Sequence, residues 1–217
     1  TINWKPASTG TGRFGNWLEN MVDWNLSRSR YWGTPLPIWR TEDGKEEKCI
    51  GSIEELNTEI RKANEVLGGD VNKNYLHNGI LDLHKPYVDE VILVSDSGKP
   101  MRREPDLIDV WFDSGAMPFA QWHYPFENND IFKDNYPADF IAEGVDQTRG
   151  WFYTLMAIGT LVFDESSYRN VLCLGHILAE DGRKMSKHLG NILEPIPLME
   201  QHGADAVRWF MAASGSP

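Results

Sequence analysis

The chain has 217 residues, room for one large domain or two modest ones, and a hydrophobic content of 41% supports a true core. A formal net charge of -11 excludes a protein that coats nucleic acid through a generally basic surface, while leaving local contact with RNA open. No run of about 18 apolar residues occurs, which excludes a membrane-spanning helix. Cys49 and Cys173 stand far apart with no partners at metal-ligand spacing. No zinc site is therefore expected, and the usage suits a reducing, cytoplasmic compartment. No signal peptide opens the chain, and the start at Thr1 rather than Met points to a piece of a longer protein.

Residues 1–12, rich in Thr, Gly, Ser and Pro, read as an extended lead-in. Apolar residues at 14, 17, 18, 21, 22 and 24 keep helical spacing and predict a helix over 16–28. Pro35 and Pro37 then force extended chain. Arg28 and Arg30 fit either ordinary surface charge or a grip on polyphosphate or an RNA end. From Thr41 the composition changes: residues 41–48 form a charged, hairpin-like turn, and Ser52 with Glu55 makes a capping box that opens a helix stopped at Gly68 and Gly69. Residues 88–94 predict a strand, 96–99 a turn, and 100–104 a return strand. The stretch 41–105 carries no catalytic cluster and reads as an inserted α+β subdomain.

Residues 107–115 read as an apolar strand with acidic ends, and 138–144 repeat that pattern. An apolar helix with hardly a polar face follows over 151–163, and 170–175 make a third strand. A buried helix between short strands implies an α/β fold with a parallel sheet covered on both faces, whose ligands bind beyond the carboxyl ends of the strands. Glu143, Gly144, Asp146, Gln147 and His176 fall at those ends. The loop 182–188 follows, with Lys184 and Lys187 able to act as mobile cations on phosphate oxygens. The bland alternatives are a solvated basic turn for the lysines, a helix cap for Asp146 and Gln147, and core positions for Trp111 and Trp151. Two helices, 195–201 and 203–213, close the chain, the second with an Asp205–Arg208 pair.

Lys184-Met185-Ser186-Lys187 is similar to the signature loop of the class I aminoacyl-tRNA synthetases, with His188 where that loop usually ends in Ser. The segment 27–39 (Ser-Arg-Ser-Arg-Tyr-Trp-Gly-Thr-Pro-Leu-Pro-Ile-Trp) and the segment 109–119 (Asp-Val-Trp-Phe-Asp-Ser-Gly-Ala-Met-Pro-Phe) resemble the isoleucyl branch of that family. The resemblance covers most of the chain. It implies the second half of a Rossmann-type catalytic domain at 1–40 and 106–190, the family's second connective insertion at 41–105, and at 191–217 the start of the helical region leading to an anticodon-binding domain.

By the same resemblance, Lys184 and Lys187 are catalytic, and Lys187 binds ATP. Glu143, Gly144, Asp146, Gln147 and His176 hold ATP or the adenylate, and Trp111 and Trp151 line the amino-acid pocket. ATP with Mg²⁺, isoleucine and tRNA are the implied ligands, with no metal site in the chain itself and no membrane partner. A valyl or leucyl relative, or a non-catalytic RNA-binding or interaction module on the same fold, are the alternatives. The family's other signature, His-x-Gly-His, is missing: His77, His84, His123, His176, His188 and His202 never form it.

Overall fold

The computed structural model of the chain describes residues 1–69, 71–73 and 75–214. They form two compact units, Thr1–Val22 with Ser114–Pro217, and Asp23–Asp113. Residues 215–217, the last of the expected 191–217 region, lie outside the described residues.

The first unit is built on a parallel sheet in the order Asn3–Lys5, Asn170–Leu174, Ile141–Gly144. Trp4 and Ile141 both align with Val171, so the register puts their side chains on one face. That face carries the core: Val171 and Cys173 pack with Phe14, Ile141, Phe152, Leu155 and Tyr168. The helix Trp151–Phe163 supplies Phe152, Leu155 and Ile158 at helical spacing, while its outer side leaves Leu161 84% exposed. Tyr168 anchors it by donating its hydroxyl to the Phe152 carbonyl at 2.8 Å. On the opposite face of the sheet Leu172 and Leu174 are 47% and 49% exposed. The expected cover on both faces is thus present on one face only among the described residues.

Two sequence expectations change here. The predicted extended 1–12 and helix 16–28 become a short strand followed by a helix that starts earlier: a π-helical turn Thr9–Phe14 running into Gly15–Glu19. Gly10 permits the early start, because a Cβ there would lie 2.5 Å from the Trp4 indole. Residues beyond Asn20 leave the helix and reach Ser27–Arg28 as a strand. Second, 107–115 is not a strand of the parallel sheet. Only Leu107–Ile108 is extended, paired antiparallel with Ser27–Arg28, and Trp111 lies in the first turn of the helix Val110–Ala120. Asp109 explains the switch, since its carboxylate accepts from the Trp111 amide at 3.1 Å and so caps the helix start.

The second unit holds a four-stranded antiparallel sheet, Glu47–Cys49, Ile38–Thr41, Pro100–Arg103, Ile92–Val94 in spatial order. The hairpin at 41–48 forms as expected. The strand expected over 88–94 starts later, after a 3₁₀ turn Tyr87–Glu90. Helix Ile53–Val66 buries Leu56, Ile60 and Ala63, three positions on one stripe, against Trp39, Val91, Leu93 and Met101. The Ser52 hydroxyl accepts from the Glu55 amide at 3.1 Å, and the Glu55 carboxylate accepts from the Gly51 amide at 2.7 Å, one residue earlier than in a standard capping box. Residues 41–105 lie wholly within this unit, which extends beyond them at both ends.

Candidate functional site

Parallel neighbours end at the same edge. Gly144 aligns with Leu174, so the chain leaves Ile141–Gly144 and Asn170–Leu174 on one side of the sheet. Asp146 and Gln147 sit two and three residues past the first exit, and His176 sits two past the second. The Lys184–Lys187 loop continues from the same strand. The sheet thus brings Glu143, Gly144, Asp146, Gln147 and His176 to one edge, by the topology that puts ligands at strand carboxyl ends, and Lys184 follows ten residues beyond Leu174.

At the first exit, Gly144 gives way to the 3₁₀ turn Val145–Arg149. Asp146 folds back so closely that a Cβ on Gly144 would lie 2.7 Å from its Oδ1, which explains the glycine without strain. Gln147 turns inward instead: its Oε1 accepts from the Trp151 amide at 2.9 Å and caps the helix Trp151–Phe163. The bland reading therefore holds for the Gln147 oxygen, which leaves its amide nitrogen available, and does not hold for Asp146, which caps nothing. Neither the Glu143 nor the Asp146 carboxylate has a hydrogen-bond or ion-pair partner among the described residues.

The signature loop is a small hairpin followed by a 3₁₀ turn. Leu178 bridges Lys184, and the Ala179 amide donates to the Arg183 carbonyl at 2.8 Å across a turn in which Gly182 takes φ 77°. Arg183 is held by Asp181 through Nε at 2.7 Å. Ser186 caps the turn Lys187–Leu189 by accepting from the Leu189 amide at 3.2 Å, and Asn191 Oδ1 accepts from the Ser186 amide at 2.9 Å. Lys184 and Lys187 are exposed and meet no carboxylate among the described residues. Loop backbone fixed and ammonium groups free is the arrangement a phosphate clamp requires. His188 is exposed on the same turn.

Trp151 is half-buried at the start of its helix and donates Nε1–H to the Ser114 carbonyl at 3.1 Å. Trp111 belongs to the other unit and is 41% exposed. There it lines a cavity of about 520 Å³ together with Arg28, Arg30, Trp32, Asp109 and Asp113. Arg28 is neither idle surface charge nor a free phosphate ligand: it pairs with the nearly buried Asp109 at 2.6 Å. Burial alone would push the Asp109 carboxyl up, but hydrogen bonds from the Trp24 indole and the Trp111 amide, with Arg28 beside it, hold it below the ordinary value. Burial pushes Asp113 up instead.

Two sets of residues have no counterpart in the sequence reading. Arg13 and Thr148 tie the first helix to the turn after Gly144 through a 2.9 Å hydrogen bond across 135 residues. Ser186 and Asn191 brace the lysine loop. Asn191 follows the αL residue Gly190, and that local turn signal was available; the Arg13–Thr148 pair left none. Among the described residues no three His, Cys, Asp or Glu side chains converge to hold a metal ion, and no helix is long and apolar enough to cross a membrane.

The isoleucine–tRNA ligase of Cytophaga hutchinsonii is 65% identical over 217 residues, covering 100% of this chain and 19% of that protein. Those of Bacteroides fragilis and Streptomyces avermitilis are each 61% identical, over 100% and 99% of the chain and 20% and 19% of their own lengths. The chain thus spans about a fifth of these curated relatives. Among solved structures, the LeuRS of Agrobacterium radiobacter, in a ternary complex with tRNA and LeuAMS, superposes with a TM-score of 0.60 at 21% identity. It covers 88% of this chain and 24% of that one, a likeness of fold alone. The family described as tRNA synthetases class I (I, L, M and V) matches residues 1–217, and the chain belongs to it.

Proposed function

We propose that the chain is the distal part of the catalytic domain of an isoleucine–tRNA ligase, a cytoplasmic enzyme that joins isoleucine to ATP as isoleucyl-adenylate and passes it to the 3′ end of tRNA. The observation that supports this reading is the pair of parallel strand ends, where the Glu143 and Asp146 carboxylates have no partner among the described residues, together with the exposed Lys184 and Lys187 in the loop that follows the second strand. Identity of 61–65% to three isoleucine–tRNA ligases favours isoleucine.

In this reaction the amino-acid carboxylate attacks the α-phosphorus and pyrophosphate leaves. The chemistry needs positioning and cations on the departing charge more than proton transfer. Lys187, with Lys184, takes that charge, shared with Mg²⁺ that arrives on the ATP phosphates. Glu143 and Asp146 accept from ribose hydroxyls and the substrate ammonium, the Gln147 amide donates, Gly144 lets the backbone approach, and His176 borders the nucleotide. Trp111 and Trp151 are assigned to the isoleucine side chain on the family resemblance. In the same reading 41–105 is the connective insertion, 1–40 with 106–190 the catalytic half, and 191–217 the lead to the anticodon-binding region.

The test is isoleucine-dependent exchange of pyrophosphate into ATP. The full gene product is expected to catalyse it and the 217 residues alone are expected not to, because they lack a His-x-Gly-His segment. Exchange driven by valine or leucine in preference to isoleucine would refute the assignment.

A further inference from the structure

The turn Val145–Arg149 is five residues of 3₁₀ backbone, a form with poor internal hydrogen bonds, yet it carries Asp146 and Gln147. Something outside the turn has to hold it. Thr148 is fully buried and its hydroxyl is used twice: it donates to the Val145 carbonyl at 2.7 Å and accepts from Arg13 Nε at 2.9 Å. One helical turn beyond Arg13, the Trp17 ring receives the Arg149 guanidinium 5.1 Å from its centroid. Positions 13 and 17 share a helix face, so one face of the first helix grips two successive residues of the turn. That helix is itself packed at its start: Phe14 is buried, 4.8 Å from the Trp4 ring, and Gly10 lies flat against the same indole.

We infer that Arg13 is a positioning residue which, through Thr148, fixes the backbone at Gly144, Val145 and Asp146 where the adenylate is to be held. The inference rests on the proposed reading of that turn as adenylate-binding, but its structural half stands apart from it. Arg13 does not touch the reacting atoms in this account. It transfers the rigidity of the Trp4–Phe14 packing to the loop by way of one hydroxyl. The Val145 carbonyl is the last link, one residue from both Gly144 and Asp146. No other side-chain hydrogen bond reaches Thr148 or Val145 among the described residues, so loss of either partner loosens the first half of the turn, while Gln147 and Arg149 keep their own ties to Trp151 and Trp17.

The experiment compares Arg13→Met, Thr148→Val, the double variant and Thr148→Ser in the full gene product. Isoleucine-dependent pyrophosphate exchange is measured, together with amide hydrogen exchange. A shift of a positioned group by about an ångström costs up to about a hundredfold in rate. Arg13→Met and Thr148→Val are expected to lower kcat by about tenfold to a hundredfold with little change in KM for isoleucine. The double variant should be no worse than the poorer single one, and Thr148→Ser should remain near the parent rate. Amides of 145–147 should lose protection while those of Trp151–Phe163 keep theirs. A parent-like kcat in Arg13→Met, or losses that multiply in the double variant, would overturn the inference, as would deprotection spreading through the helix. Should the unmodified protein show no isoleucine-dependent exchange, the proposed function fails on its own. Hydrogen exchange then decides: selective loss at 145–147 upholds the positioning role, and unmoved protection there removes it.

Discussion

In the unit Asp23–Asp113, Arg103 meets Asp89, Lys48 meets Glu59, Lys99 meets Asp43 and Arg28 meets Asp109. In the unit built on the parallel sheet, Glu143, Asp146, His176, Lys184 and Lys187 meet no counter-ion among the described residues. The paired charges shift one another accordingly. Burial pulls the Lys48 ammonium down, but Glu59 more than offsets this and holds it above its usual value. Lys99 and Thr41 hold Asp43 down to about 2. Charges that answer one another are framework. In the proposed function the open charges are the ones a ligand answers, and polyphosphate with an ammonium-bearing amino acid supplies both complementary signs.

This contrast can be broken from either side. The largest effect is expected in the framework. The Arg103 side chain is wholly buried, bonded through Nε to Asp89 at 2.7 Å and through NH1 to the carbonyls of Leu36 and Asp106 at 3.1 Å. Arg103→Met strands the two carbonyls, and because the Asp89 side chain is 36% exposed the loss belongs at the lower end of the about 3–5 kcal/mol that breaking a fully buried pair costs. Denaturant unfolding should show that loss; a change below about 1 kcal/mol would place Arg103 with ordinary surface charges. Next comes Lys187→Ala, which should leave unfolding unmoved and slow adenylate formation by about 10²–10³. A rise in the KM for ATP at unchanged turnover would show instead that the lysine contributes only ground-state binding.

A smaller shift tests Trp151. Trp151→Phe keeps most of the volume, so isoleucine activation should fall relative to valine by the about 1–3 kcal/mol that such pockets discriminate. An unaltered preference combined with a steep drop in melting temperature would return Trp151 to the core. The smallest effect concerns pH. Asp109 is held below its unfolded value, near 4 for a free aspartate. Its contribution is therefore complete above about pH 4 and is lost as pH falls through the lower native value. Asp109→Asn should flatten that acid limb of the stability profile, and an unchanged limb would mean another carboxylate sets it.

The same contrast explains what could be read from the sequence. The Ser52 cap, the 41–48 hairpin, the helix 151–163 and the Asp205–Arg208 pair are local patterns, and each forms, while of the strand expected over 138–144 only Ile141–Gly144 is strand. The lysine loop and the 143–147 turn stood out through their likeness to class I synthetase loops, since residue types and spacing alone fitted a basic turn and a helix cap as well. Trp111 was misplaced in a strand because an apolar run of this length fits either state, and the Asp109 side chain decided it in favour of helix. The third parallel strand was overlooked at Asn3–Lys5, since three residues in a Gly- and Pro-rich lead carry no periodicity. The Arg13–Thr148 tie and the bare Leu172 and Leu174 face depend on tertiary neighbours that one sequence does not reveal.

The most direct measurement of the central claim takes one charge from the open set, Asp146→Asn in the full gene product, and follows unfolding and isoleucine-dependent pyrophosphate exchange side by side. The account predicts an unfolding midpoint equal to that of the unmodified protein and exchange reduced at least tenfold, because a group that answers no internal charge contributes to the ligand and not to the fold. Exchange at the unmodified rate, or a loss of stability of the size expected for Arg103→Met, would contradict it.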